Sequence, residues 1–559
     1  MADEQEPTVS AAAAGKGSVA THSAAMAIGT MGSRVLGFIR TAMLTAVVGG
    51  ALAADSFTVA NSLPTQVFVL VNGGLLSAFV VPQITKAMSM GERSQDFTDR
   101  LLTLAFLVLA AVTALCLPAT PWIIDALSAN KDPAFMSLTT TIAYICMPQI
   151  FFYGMYSVLG QVLNVMGRFT AYAWTPAWAN VIQIAGLAWF IVQWGQQPTV
   201  GTWTPAMIWV LAGTTTLGIA AQGLFLIVSL AQAGFRFTPR FGWRGTGLGE
   251  LSRMAGWTIA ALTIVQLGGL VTTRAMTVGA SKAPDVAGNG VFQYAYSLYT
   301  LPHSLITISI ITALFPAMSR AFQAGDFVAL RRWPVAGLTT PAVLVIPASG
   351  LLVALGRPMA STLYPGLRSD SGPGAAGDVA LVLALMAVGT LPYGITALKQ
   401  RYCFARGDGW LNFWLVAIMT AGNLIAAVVA MVATPPAYVV AVVAIGETLS
   451  NILASGLFLV MARRQLPGLA LGQVWRLWVR LSVASAVAGV VSWGAAGFIA
   501  QPTSPWISQV LALGVGVLLF AGTFLLTARA MRIGEVAEMV DRVTSRLLRL
   551  TGRRGSTAA

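Results

Sequence analysis

Apolar residues fall in blocks of about twenty or more between residues 22 and 530, parted by short polar or charged breaks. A helix rising 1.5 Å per residue needs about 20 apolar residues to cross the hydrocarbon core of a bilayer. By that measure the chain contains fourteen expected spans: 22–48, 56–90, 98–121, 137–166, 173–194, 205–232, 251–277, 288–321, 329–355, 379–403, 411–433, 436–462, 474–499 and 506–530. Pro64, Pro302 and Pro392 fall inside blocks, where the missing backbone N–H bends a helix. Beyond the last span, Val536, Val540, Val543, Leu547 and Leu550 recur at helical spacing, with Arg542, Arg546 and Arg549 on the cationic side. This pattern predicts an amphipathic helix resting on an anionic membrane surface, with protein docking as the alternative.

The blocks repeat. Arg34 in span 1 is matched by Arg274 in span 7, 240 residues later. S-L-P before F-V-V-P in span 2 is matched by T-L-P before L-F-P in span 8, and the second prolines, Pro82 and Pro316, are 234 apart. Arg168 of M-G-R-F and Arg406 of F-A-R-G-D are separated by 238. A shared offset predicts two six-helix lobes, 22–232 and 251–462, joined by a basic linker at 233–250. Six is even, so both lobes share one orientation and their pseudo-twofold axis runs along the membrane normal. Spans 13 and 14, within 463–531, stand outside the repeat. Residues 1–21 read as a disordered tail and 532–559 as an amphipathic basic tail. The expected fold is an all-α polytopic membrane protein with 14 transmembrane helices.

Composition agrees with that reading. Of 559 residues, 56% are hydrophobic and 9% charged, against about 25% charged in soluble domains. The net charge of +14 raises the question of nucleic acid, but its distribution answers it. With the amino terminus placed inside, inner segments together with the inner ends of the spans hold 26 of the 33 Lys and Arg residues, outer loops hold four, and Arg34, Arg40 and Arg274 lie deeper within spans. That asymmetry is a positive-inside signal, so both termini are expected to be cytoplasmic. Cys116, Cys146 and Cys403 lie in or beside apolar blocks without a pairing pattern and read as packing residues.

Enzyme signatures are missing from the chain: it has two histidines, no H-E-x-x-H, no G-x-S-x-G and no Walker A loop. Without a nucleotide site, any transport is expected to draw on ion gradients, membrane potential or substrate supply. The informative residues are the charges inside the spans, because a charge at mid-bilayer costs at least about 2.5 kcal/mol and marks a cavity or a partner. Arg34 and Arg40 lie about 120° apart around one helix and about 9 Å apart in height. Both can line a wide cavity, with Arg274 of the other half as their counterpart. Three guanidiniums suit an anion with several phosphate oxygens. Capping of helix carbonyls, or pairing with Asp55 and Glu447, is the competing reading. Glu447 is a candidate ion or proton site, against a satisfied inter-helix hydrogen bond. Gly73 and Gly74 suit a hinge or close helix packing.

S-R-V-L-G-F-I-R (33–40), A-A-D-S-F (53–57), F-V-V-P (79–82), G-Q-V-L-N-V-M-G-R-F (160–169), A-G-F-R-F (233–237) and A-R-G-D (405–408) together resemble the MurJ (MviN) family. That family belongs to the superfamily that includes multidrug exporters and polysaccharide flippases. The resemblance implies a flippase carrying the undecaprenyl-diphosphate-linked disaccharide-peptide precursor of peptidoglycan, lipid II, from the inner to the outer leaflet. It also implies cavity and gate roles for Arg34, Arg40 and Asp55. Two positions depart from the family: Phe68-Val69 replaces a basic pair, and Ser297 replaces an arginine. Thr273 stands where many members have an acid, which weakens a carried-over sodium site. Ala/Gly richness with Arg far above Lys fits an actinobacterial source. In this reading the partners are lipid II, membrane lipids and cell-wall synthesis proteins. A flippase for another polyprenyl-linked glycan and a non-transporting scaffold for cell-wall enzymes are the alternatives.

Overall fold

The computed structural model describes residues 31–73, 94–242, 253–283, 286–367 and 374–550, together with positions 29 and 76. Residues 1–21, Gly74 and Pro82 lie outside the described residues, as do parts of the linker and of the C-terminal tail. Among the described residues the regular elements are all helical. Twelve helical stretches are long and apolar enough to cross a membrane, or thirteen with the bent pair Gly374–Ala387 and Thr390–Ala405, which turns by 50°. The expected second span continues from its first helix into residues outside the description. The chain divides into two compact units, 1–266 and 267–559.

In the first unit α1 covers Met31–Val48 and α2 Leu52–Val71. There follow α3 (Ser94–Leu127), α4 (Pro133–Cys146), α5 (Gln149–Val165), α6 (Phe169–Trp194) and α7 (Pro205–Gln232). Local sequence explains several ends. Asp132 accepts from the Phe135 N–H at 2.9 Å with Pro133 at the first helical position, so α4 starts with a side-chain cap. The core joins Leu101, Leu102 and Leu109 of α3 to Val158 and Val162 of α5 and Leu226 of α7. A polar strap follows α7. The Thr238 hydroxyl donates to Asp99 at 2.7 Å, and Arg240 donates to Asp96 at 2.6 Å, binding the chain after α7 to the start of α3.

α8 (Arg253–Lys282) crosses the boundary between the units. The second unit continues with α9 (Asn289–Pro302), α10 (Ile308–Gln323), α11 (Phe327–Thr339), α12 (Ala342–Leu363), α13 (Gly374–Ala387) and α14 (Thr390–Ala405). Its last members are α15 (Gly409–Ala433), α16 (Val439–Gln465), α17 (Leu471–Ile499), α18 (Trp506–Ala530) and α19 (Gly534–Leu550). One core cluster joins Ile395, Leu398 and Tyr402 of α14 to Leu411 of α15 and Phe458 of α16. A second joins Val343 of α12, Leu481 of α17 and Phe524 of α18 to Ile533 and Val536.

Two of the sequence landmarks, Arg168 and Arg406, lie at helix ends of one type. Gly167 (φ 73°) ends α5 and Gly407 (φ 69°) ends α14, both in the left-handed conformation that lacks a penalty only for glycine. The next residue's N–H reaches back five positions in each case, Arg168 to Leu163 O at 2.8 Å and Asp408 to Cys403 O at 2.9 Å. The same helix-ending motif recurs at Gly234 and Gly325, where Phe235 N–H reaches Leu230 O at 3.0 Å and Asp326 N–H reaches Ala321 O at 3.1 Å.

Candidate functional site

In the first unit the site is built on α1. Ser33 O accepts from the Asn180 amide at 3.0 Å, and Arg40 Nη1 donates to Gln183 Oε1 at 3.2 Å. With Gly37 lying against Asn180, positions 33, 37 and 40 form one face of α1 laid along α6. Arg34 is half-buried beside that face, and Met31, Val35 and Ile39 form the exposed stripe. Arg40 lies within electrostatic range of Tyr153, whose ring stacks on Phe68 at 5.5 Å. Phe68, one of the two residues that depart from the expected basic pair, thus packs against an aromatic ring. Further polar groups run along α2: Asn61 accepts from Gln149 at 3.5 Å, Gln66 donates to Ser62 at 3.3 Å, and Asn72 accepts from Ser157 at 2.8 Å. Asp55, in the first turn of α2, is 2% exposed. A carboxylate there meets the partial positive charge of the helix start.

Gly73 stands in a π-helical turn after α2, and a Cβ there would collide with Leu262. Gly73 thus packs closely on the end of the Leu262 side chain, within a turn of irregular helix. π-turns also occur at Trp209–Gly213 and His303–Thr307. Such turns, single interruptions within α-helices, are frequent at functional sites.

In the second unit Arg274 is half-buried on α8, and its carbonyl accepts from the Thr277 hydroxyl at 2.8 Å. Glu447 joins two helices: Oε2 accepts from Asn423 of α15 and Oε1 from Asn451 of α16, at 2.8 and 2.9 Å. The inter-helix hydrogen bond is therefore present, with an ionisable group at its centre. Tyr296, Tyr299 and Tyr393 lie within electrostatic range of Glu447. Their hydroxyls link α9 to the α13–α14 bend, Tyr296 to Tyr393 and Tyr299 to Gly389 O, both at 3.4 Å. His303 is 8% exposed and packs on Tyr393 with ring centres 4.3 Å apart. Ser297 donates to its own helix, at Gln293 O.

Lys399 was not among the expected intramembrane charges. It was counted with the cations at the inner ends of the spans, near the end of 379–403, but it lies within α14 at 2% exposure, on the face that carries Ile395, Leu398 and Tyr402 inward. Its four-residue spacing from Ile395 and Cys403 was the available signal.

An apolar groove of about 870 Å³ runs along α17. Its walls come from α12 (Gly350, Val353), from the α13–α14 bend (Val388, Leu391), and from Trp475 and Trp493 of α17. The Ser349 and Ser485 hydroxyls on this wall donate to carbonyls of their own helices, so the wall is effectively apolar. α18 does not line it; Phe520 and Phe524 pack into the second core instead.

These features define a class first: a multi-pass helical membrane protein with polar and ionisable groups inside its spans and a lateral apolar groove, as transporters of amphiphiles have. A solved structure described as lipid II flippase MurJ in an inward closed conformation superposes with a TM-score of 0.66, covering 90% of this chain and 99% of that one at 17% identity. An inward-facing multidrug resistance MATE family transporter of the MOP superfamily superposes with a TM-score of 0.58 at 16% identity, covering 78% and 95%. These likenesses establish the fold. In sequence, probable lipid II flippases MurJ of Vibrio cholerae and a Synechocystis strain are each 26% identical, covering 68% and 85% of this chain and 71% and 87% of theirs. The family described as lipid II flippase MurJ matches residues 44–514, and the chain belongs to that family.

Proposed function

We propose that this chain moves lipid II, the polyprenyl-diphosphate-linked disaccharide-peptide, from the inner to the outer leaflet of a bacterial plasma membrane by alternating access. The observation that carries the proposal is the family match over residues 44–514. In this reading Arg34, Arg40 and Arg274 engage the diphosphate oxygens, because a guanidinium offers paired planar donors to phosphate. Asp55 and Gly73, with Gly74, serve the gate. The diphosphate, sugars and peptide cannot cross hydrocarbon unaided, whereas the polyprenyl chain can stay in an apolar groove, and the trench along α17 suits it. Both termini are cytoplasmic. No nucleotide is used: for a net negative substrate, an inside-negative potential favours outward movement by roughly 2.3 kcal/mol per charge per 100 mV. Glu447, held by two asparagine amides, is the proposed ion or proton site.

The test is complementation of a strain depleted of its own flippase, scored by lipid II labelled in the outer leaflet. Arg34→Ala and Arg274→Ala are expected to lower labelling at least tenfold at equal protein level. Normal labelling in both variants would remove the cationic route. A scaffold role, the competing reading, predicts that even the wild-type chain restores no labelling.

A further inference from the structure

The groove along α17 has a polar end. A second cavity of about 280 Å³ shares Val353, Ala354 and Trp493 with it and adds Arg357, Gln501 and Gln509. The two are one continuous trench. Its opening has a visible cause: α12 breaks at Leu355 (φ −111°, ψ 15°), three residues before Pro358. The proline has no N–H and crowds the carbonyl four residues back, so the helix bends there. The break lies where the apolar trench meets Arg357. Among the described residues lining the two cavities, Arg357 is the only charged side chain. It already has contacts within the fold, but a guanidinium has five N–H donors and can add an anion to them. Beside it, Gln509 is 3% exposed and donates to Gln501 O at 2.7 Å, which fixes the amide at the pocket wall.

The length of the trench selects the chain. From Trp475 to Trp493 along α17 is eighteen residues, about 27 Å at 1.5 Å per residue. That approaches the whole hydrocarbon thickness of about 30 Å, while a phospholipid acyl chain occupies one leaflet. A single trench of that length with one cationic pocket at its end fits a lipid with one long chain and one phosphate head.

We propose that the Arg357 pocket is a head-group site for a polyprenyl phosphate or diphosphate, with Arg357, Gln501 and Gln509 holding the phosphate while the chain lies along α17. This rests on the lipid II reading for the chain's class. It adds a second station for the lipid's phosphate, separate from Arg34, Arg40 and Arg274.

The full chain in phosphatidylcholine nanodiscs is exposed to a photoactivatable polyprenyl diphosphate, and the labelled peptides are mapped. Labelling of α12 and α17 is expected, reduced at least tenfold in Arg357→Gln and severalfold in Gln501→Ala, an exposed position whose change leaves the fold intact. Excess phosphatidylglycerol is expected to leave the labelling in place. Unlabelled wild type, or equal labelling in both variants, overturns the proposal. Equal displacement by phosphatidylglycerol also overturns it and makes the pocket a phospholipid site. Arg34→Ala is labelled as wild type is, even where it no longer transports. Labelling needs no transport, so failure of this site and failure of the flippase reading are read separately.

Discussion

At the scale of single residues, the polar groups inside the spans find partners on a neighbouring helix or on the next turn of their own. Arg40 has its acceptor in Gln183, 143 residues on, and Glu447 has its donors in Asn423 and Asn451. A hydrogen bond to a charged group contributes about 1.5–3 kcal/mol, more than a neutral pair. Gln183→Ala is therefore expected to destabilise the first unit by about 1–2 kcal/mol, read as a lower melting temperature in detergent. An unchanged melting temperature would mean that Arg40 is held elsewhere. The arginines were visible in the sequence as cations in an apolar run, but Gln183 was not. A neutral amide at position 183 has no signature until a helix places it opposite a guanidinium.

At the scale of helices, close approach does the work that hydrophobic burial does in water, since lipid tails are as apolar as leucine. Gly218 of α7 lies so near α6 that a Cβ would come within 2.7 Å of Ala179 O. Backbone cannot step aside as a side-chain end can. Gly218→Ala is expected to cost about 1–3 kcal/mol, the range for overpacking, seen as a lower melting temperature and faster proteolysis. A neutral result would show that α6 and α7 can separate freely. The strap after α7 divides similarly by magnitude. The Asp96 pairs with Arg100 and Arg240 are over a third exposed and worth about 0–1 kcal/mol. Asp99, 1% exposed and bonded to Thr238, holds the strap more firmly.

At the scale of the molecule, the C-terminal helix belongs partly to the fold. Ile533 and Val536 are each 3% exposed in the cluster with Leu481 and Phe524, while Glu535 and Glu538 face outward. The boundary expected at residue 532 thus cuts through a packed joint, at which Arg532 adopts φ 53°. A chain ending at Met531 is expected to melt several degrees lower than wild type. One ending at Ala537 is expected to melt as wild type does. Equal stability of the two would show that the joint contributes nothing.

Long apolar blocks, a lopsided charge distribution and the family motifs were enough to determine an all-helical membrane protein in two related halves, with Arg34, Arg40, Arg274, Asp55 and Glu447 singled out. They suffice because lipid is a demanding solvent: it requires helices of fixed length and makes each internal charge conspicuous. Tertiary structure decided the rest. It placed the trench along α17 against α12 and the α13–α14 bend, with Gln509 of α18 at its polar end. It put Lys399 inside a core and Arg357 at the end of a groove. Those outcomes depend on where helices bend and which way they are rotated, at Leu355, at Gly389 and in the π-turns. Such breaks are set by contacts between distant segments and leave no period in the chain.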